Sequence, residues 1–363
     1  MANVCDYLDW RGDLSFAASP FCEVDNLVLS MLSFVDYAGI VPETPLGNPV
    51  RLSECLERNR IRYPRGEDFG QIIPDDVNTL FGKAARSTRF RDVYAVCYRS
   101  ELSEAEIAQF AAVAFVLPDD SLFFSFRGTD DTLIGWQEDF TLSYDPSTRA
   151  QELAVEFLAD AASVYRGPIR TGGHSKGGNL AVFAAAFAPE EVRMRVTEVY
   201  SNDGPGFMEE VLSTPEYASV RERIVKLVPQ SSVIGMLLGS SESVRVIRST
   251  RRSGLAQHDP FSWTVRGREF THLTDLSKQG QRNREVLGEW LRAITPEERR
   301  LVSDTLFSVL ASTGAKTVTD LGEDQLAKIG AALKSLGGLD KTTRETVRRF
   351  LRAFAEANFG LLK

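Results

Sequence analysis

The sequence predicts an α/β fold, with a mainly parallel central sheet, helices on both faces and a helical appendage at the C-terminus. Three observations lead there. Short apolar runs rich in β-favouring residues alternate with helical patterns between Val93 and Ile247, as crossover-connected parallel strands require. A glycine-rich turn, Gly172-Gly173-His174-Ser175-Lys176-Gly177-Gly178, joins a short strand to an alanine-rich helix. Beyond Leu276 the strand signals stop and only helical patterns continue.

Taken in order, Val24 to Tyr37 is apolar around most of a helical wheel, which predicts a buried helix. Pro42 to Pro49 reads as a loop, and Leu52 to Arg60 and Asp75 to Ala85 as short surface helices. Val93 to Tyr98 and Ala111 to Leu117 read as strands, and Pro118-Asp119-Asp120-Ser121 turns the chain into a third at Leu122 to Phe126. The polar loop Arg127-Gly128-Thr129-Asp130 follows, at the strand end where open α/β sheets place their chemistry.

A helix over Ser147 to Tyr165 leads to a strand at Ile169 to Gly173, the glycine-rich turn, and a helix over Leu180 to Ala188 that Pro189 ends. Val196 to Ser201 is a further strand, closed by the turn Asn202-Asp203-Gly204-Pro205-Gly206. A helical patch near Phe207 to Leu212, a strand at Ile224 to Val228, a small apolar helix from Ser232 to Leu238 and a strand at Val244 to Ile247 complete the alternation. Helical spacing then marks Arg284 to Ile294, Pro296 to Ser312, Glu323 to Leu336 and Lys341 to Ala357. The expected division is a main domain over 1–294 and a C-terminal helical segment over 295–363, with charged, solvated faces.

Composition narrows the function classes. The 363 residues hold 42 basic and 50 acidic side chains, a formal net charge of -8, which argues against a nucleic-acid partner. Cys5, Cys22, Cys55 and Cys97 are scattered without CxxC pairing, so free thiols in a reducing compartment are expected rather than disulfides or a metal site. No cofactor is called for. The N-terminus lacks a signal-peptide pattern, and no apolar run approaches the roughly 18 residues that span a bilayer. The expectation is a soluble, cytoplasmic protein without stable membrane insertion.

Ser175 is the candidate nucleophile. A serine hydroxyl reacts only when it is exposed, next to a base and close to N–H groups that receive an oxyanion. A tight strand-to-helix turn offers this, and it needs small residues two positions on either side; Gly173 and Gly177 stand there. The amide of Lys176 opens the following helix and is free of intrahelical bonding, so it is a candidate oxyanion donor. The Arg127-Gly128-Thr129 loop could present a second donor, with Thr129 adding its hydroxyl. The Lys176 side chain reads as a solvated or structural cation.

The chain has three histidines. His174 adjoins the serine, and neighbouring side chains in an extended segment diverge. His258 lies in a loop after the last strand of the alternation, Val244 to Ile247, and is the candidate base, with His272 as the fallback. Asp203, in the turn after the strand that follows the nucleophile helix, is the candidate acid, although an Asp-Gly pair also serves plain turns. Asp259 and Asp275 are weaker candidates.

Phe126-Arg127-Gly128-Thr129, with Trp136 and Asp139 beyond, the turn around Ser175, and Val199-Tyr200-Ser201-Asn202-Asp203-Gly204-Pro205-Gly206 resemble the class 3 lipase group of α/β-hydrolases. The lysine after the serine, the Asp-Gly-Pro-Gly turn and the opening Tyr7-Leu8-Asp9-Trp10-Arg11-Gly12-Asp13 are closest to its bacterial Mbeg-like branch. The resemblance implies an α/β-hydrolase-like fold, an oxyanion donor at Thr129, a nucleophile at Ser175 and a base at His258. The sequence departs from the group at the acid. Class 3 lipases carry it after the next strand, where this chain reads Val228-Pro229-Gln230-Ser231-Ser232-Val233 without a carboxylate. Either Asp203 replaces it from one strand earlier, or the triad is incomplete.

The expected activity is hydrolysis of a small-molecule or lipid carboxylic ester through an acyl-enzyme. The alternatives are a binding or regulatory protein that keeps the hydrolase fold without turnover, and an acyltransferase or thioesterase using the same residues. The apolar stretch Val233 to Leu238 either packs in the core or lines an acyl pocket or lid. The sequence does not indicate the oligomeric state.

Overall fold

The computed structural model describes residues 1–320 except 71, 72, 253, 312, 313, 318 and 319. The helices expected at Glu323 to Leu336 and Lys341 to Ala357 lie outside the described residues.

The strands are β1 (Val50–Arg51), β2 (Tyr94–Ser103), β3 (Ala108–Val116), β4 (Leu122–Phe126), β5 (Ile169–His174), β6 (Val196–Asn202), β7 (Ile224–Pro229), β8 (Val244–Ile247), β9 (Val265–Arg266), β10 (Glu269–Phe270) and β11 (His272–Leu273). Nine of them form one sheet in the order β1-β2-β3-β4-β5-β6-β7-β8-β11, and β9 and β10 pair separately. The five central strands, β4 to β8, run parallel. Antiparallel pairing flanks them on both sides.

The helices are α1 (Val4–Arg11), α2 (Glu23–Leu32), α3 (Leu52–Arg62), α4 (Asp76–Arg86), α5 (Leu133–Thr141), α6 (Arg149–Val164), α7 (Lys176–Phe187), α8 (Glu190–Arg193), α9 (Glu209–Leu212), α10 (Pro215–Val220), α11 (Lys278–Ala293) and α12 (Pro296–Ala311). Alternate strand residues face opposite sides of a sheet, and the two cores divide accordingly. Val113, Phe115 and Phe123 pack with α1 to α4, whereas Ala112, Ala114 and Phe124 pack with α6 and α7. Both faces of the sheet are covered.

The predicted buried helix at Val24 to Tyr37 is shorter, ending at Leu32 and continuing as turns, with the Ser33 hydroxyl donating to the Ser30 carbonyl. Every residue of α2 is buried, polar ones included. Asp25 accepts from Arg89 Nε at 2.6 Å and from Tyr7 Oη at 2.9 Å. The buried charge is thereby paired, as burial requires.

The small helix expected from Ser232 to Leu238 is a single 3-10 turn at Ile234–Met236. The Asp203 carboxylate accepts from the Gly235 amide at 3.2 Å, and Leu238 takes φ 64°. These features replace helical bonding there. Helices α1 and α5 were not expected from the periodicity. Beyond residue 294, α12 lies against α5, with Phe140 and Phe307 edge to face at 5.6 Å and Arg300 paired with Asp145 at 2.8 Å. Among the described residues, no helix is long and apolar enough to cross a membrane. All four cysteines are buried and free, and burial pushes the thiols of Cys5, Cys22 and Cys55 up to about 12.

Candidate active site

Ser175 sits between β5 and α7 with φ 58° and ψ -132°, a backbone conformation that costs a non-glycine residue about 1–3 kcal/mol. The surrounding packing enforces it. A Cβ on Gly173 would overlap the Gly177 backbone, and one on Gly177 would overlap the Phe126 carbonyl. Strand, turn and helix therefore approach as closely as the spacing of small residues suggested.

Beneath the turn, a buried polar network ties it to neighbouring elements. Asn202 Nδ2 donates to the Gly173 carbonyl at 3.0 Å, and Asn26 Nδ2 donates to Asn202 Oδ1 at 2.8 Å. The Ser175 amide donates to the Asn202 carbonyl at 3.0 Å. On the helix side, Asn179 Nδ2 donates to the Gly206 carbonyl at 2.9 Å and so fixes the Asp-Gly-Pro-Gly turn against α7.

His258 ends a 3-10 turn, Ala256–His258. It follows β8 but is not beyond the last strand, because three short strands come after it. Its Nδ1 lies 2.7 Å from Oδ2 of Asp203. Asp203 is fully buried at φ 52°, and its second oxygen accepts from Ser232 Oγ at 2.6 Å. Ser232 belongs to the segment after β7 in which the resemblance had called for a carboxylate. A hydroxyl stands there instead and holds the Asp203 carboxylate, which follows the preceding strand. Ser175 and His258 line the same pocket, although among the described residues no hydrogen bond joins the serine hydroxyl to the imidazole.

His174 is buried behind His258. Its Nε2 donates to the His258 carbonyl at 2.8 Å, and the two rings lie 4.4 Å apart. Burial, with His258 adding to it, holds the His174 pKa well below the ordinary histidine range, so the ring is neutral. His272, the fallback base, is on edge strand β11 and pairs with Glu23 at 2.8 Å, and it does not line the pocket that Ser175 lines. Asp259 caps the next 3-10 turn through the Phe261 amide. Asp275 precedes α11, which begins at Lys278.

The Lys176 side chain is not solvated. It is 1% exposed, and its Nζ donates to Glu138 Oε2 at 2.7 Å and to the main-chain and side-chain oxygens of Gln109 at 2.8 Å each. Glu138, fully buried on α5, also accepts from the amides of Gln109 and Ala150. Thr129 uses its hydroxyl to donate to Asp139 Oδ2 at 2.7 Å. Burial raises Asp139 to about 6, against the lowering effect of Lys176 and Thr129.

Helix α5 thus brings Glu138 to Lys176 of α7 and Asp139 to the loop that carries Thr129. Its periodicity is weak, and Gly135 interrupts it, where a Cβ would come within 3.0 Å of both Thr129 Cγ2 and Gln109 Oε1. A lysine placed in a tight glycine-rich turn was the available signal, since its charge would need a buried partner.

The pocket of about 390 Å³ beside Ser175 is lined by Met31, Phe34, Leu237, Leu255, Leu287 and Leu291, among others. Its lining is largely apolar and includes Ser175, His258, His174, Thr129, Trp136 and Asp139. Ile234, Leu237 and Leu238 of the apolar stretch join the lining, whereas Val233 is packed in the core. Such a cavity, apolar with a few polar groups, is the usual form of a small-molecule site. Among the described residues, no group of three or more His, Cys, Asp or Glu side chains could hold a metal ion.

Among solved structures, a Rhizomucor miehei lipase propeptide complex is similar at 14% identity and a TM-score of 0.38, covering 62% of this chain and 68% of that one. M37 lipase is similar at 11% identity and a TM-score of 0.36, covering 58% and 68%. No curated protein matches the sequence. The Mbeg1-like family model matches residues 84–308, more than half of the chain. The chain belongs to the Mbeg1-like family.

Proposed function

We propose that the protein is a serine hydrolase of carboxylic esters. The observation that carries this reading is the Asp203–His258 contact at 2.7 Å in the pocket that also presents the strained Ser175. With Asp203 accepting from Nδ1–H, the Nε2 lone pair of His258 is left to take a proton.

Ser175 Oγ attacks the ester carbonyl carbon while His258 Nε2 takes its proton. Asp203 holds the imidazole in the required tautomer and stabilises its cation. The oxyanion is received by the Lys176 amide at the head of α7 and by the Thr129 loop. Because the Thr129 hydroxyl is committed to Asp139, the main-chain N–H of Thr129 is the donor from that loop. His258 then protonates the leaving alcohol, the C–O bond breaks, and water, deprotonated by the same imidazole, releases the acid from Ser175. The Lys176 ammonium and Glu138 position these donors and do not touch the reacting atoms.

The test combines labelling and turnover. A fluorophosphonate should form an adduct on Ser175 in the folded protein, p-nitrophenyl esters should be cleaved, and Ser175→Ala should abolish both. Absence of the adduct together with absence of turnover would overturn the proposal.

A further inference from the structure

The pocket beside Ser175 receives aliphatic side chains from two elements that pack on each other, α11 and the 3-10 turn at Ile234–Met236. Leu287 and Leu291 are four residues apart on α11 and so share one face of it. Both line the pocket, as do Ile234, Leu237 and Leu238. Helix α11 is held near both ends. At its start, the Ser277 amide donates to the Gln230 carbonyl at 2.8 Å, and Asn283 Nδ2 donates to the Ser231 carbonyl at 3.1 Å. At its end, the Arg299 guanidinium of α12 donates to the carbonyls of Leu291 and Ser143, both of which line the pocket. The fold therefore fixes where these leucines stand, and α12 helps to fix it.

The lining offers no counter-charge to an anionic chain. Among the described residues that line the pocket, Lys176 is the one lysine or arginine, and its Nζ is committed to Glu138 and Gln109. A carboxylate buried there would lose its water without gaining a partner, whereas a hydrocarbon gains by leaving water. The volume of about 390 Å³ is at the small end of ligand sites, roughly 300–1,000 Å³, which suits a single chain. Of the two halves of an ester, only the acyl group stays bonded to the serine through both steps. It is the half that the pocket must hold while water enters.

The geometry points to α11 and the 3-10 turn as the elements that set substrate choice, with Leu237 and Leu291 receiving the uncharged acyl chain of a medium-chain fatty ester. This rests on the hydrolase reading given above. Ser175 Oγ takes the acyl group, the alcohol leaves with the proton from His258 Nε2, and water then releases the fatty acid.

The experiment compares kcat/KM for four esters, each below its solubility limit: methyl acetate, methyl octanoate, octyl acetate and monomethyl suberate, whose chain ends in a carboxylate. Fluorophosphonate labelling of Ser175 is followed in parallel. Each buried methylene contributes about fourfold, so methyl octanoate should exceed methyl acetate by about 100-fold or more. It should exceed monomethyl suberate by a similar factor, about 100-fold, and octyl acetate should fall below it. Leu237→Trp and Leu291→Trp each fill part of the pocket and should narrow the octanoate-to-acetate ratio about tenfold. In wild-type protein whose Ser175 labels, equal kcat/KM for methyl acetate and methyl octanoate, or octyl acetate above methyl octanoate, would overturn the acyl assignment alone. An unchanged ratio in both folded variants would remove the leucines from it. No labelling and no turnover of any ester would overturn the hydrolase reading and this assignment together. The wild-type comparison stands even if neither variant folds.

Discussion

Asp203 presents one carboxylate oxygen to His258 Nδ1 at 2.7 Å and the other to Ser232 Oγ at 2.6 Å. The two contacts divide the acid between the imidazole and the segment after β7, so its orientation is set before any substrate arrives. Asp203→Asn keeps the shape but offers an amide N–H where His258 needs an acceptor. Ester kcat/KM should fall about 10⁴-fold, the effect of the wrong imidazole tautomer, with thermal stability close to wild type. Turnover within tenfold of wild type would exclude Asp203 as the acid.

The strain at Ser175 has a measurable counterpart. Ser175→Gly removes the Cβ from a backbone at φ 58°, while glycine brings its own entropic cost on folding. The balance favours the variant by about 1 kcal/mol. Urea unfolding should show the gain, and ester turnover should be lost. A variant less stable than wild type would contradict the strain assigned to this turn.

Lys176 and Glu138 form a buried pair that joins α7 to α5. Lys176→Met leaves the Glu138 charge uncompensated and should destabilise the protein by about 3–5 kcal/mol. Lys176→Met combined with Glu138→Gln should recover part of that loss, because no charge is then stranded. Strictly additive losses in denaturant unfolding would show that the pair is not coupled.

Asp139 titrates near 6 in the folded protein, above its ordinary value of 3.8, because burial disfavours its charge. The folded state therefore holds this proton more tightly than the unfolded chain, and the contribution of Asp139 to stability falls as pH rises from about 4 to about 6, then levels off. The total is on the order of 2–3 kcal/mol. Asp139→Asn should match wild type near pH 4 and exceed it by that order at pH 7 to 8, read from denaturant unfolding across the series. A stability difference that does not change with pH would contradict the raised carboxyl.

Much of the fold was legible before the structure. Val93 to Ile247 alternates in a way that only strands and crossover helices satisfy, and the observed strands β2 to β8 fall within about five residues of their expected limits. Helix α5 was not legible, because Gly135 and a weak apolar stripe hide it, and its stability comes from Glu138 and Phe140 contacts made elsewhere in the chain. The same cause concealed Asn26, Gln109 and Ser232, ordinary polar residues whose roles depend on partners far away in sequence.

By itself the sequence determined the things that local chemistry controls: the tight turn with Gly173 and Gly177 around Ser175, the strand pattern, and a short roster of histidines to consider. Only the tertiary structure decided which groups meet. It put His258 on Asp203 and His272 on Glu23, buried Lys176 on Glu138, and turned the Thr129 hydroxyl to Asp139. The physical reason is one of range. Backbone preference and hydrophobic periodicity act over a few residues, whereas a hydrogen bond between side chains 55 positions apart exists only once the sheet has ordered the strands and loops that carry them.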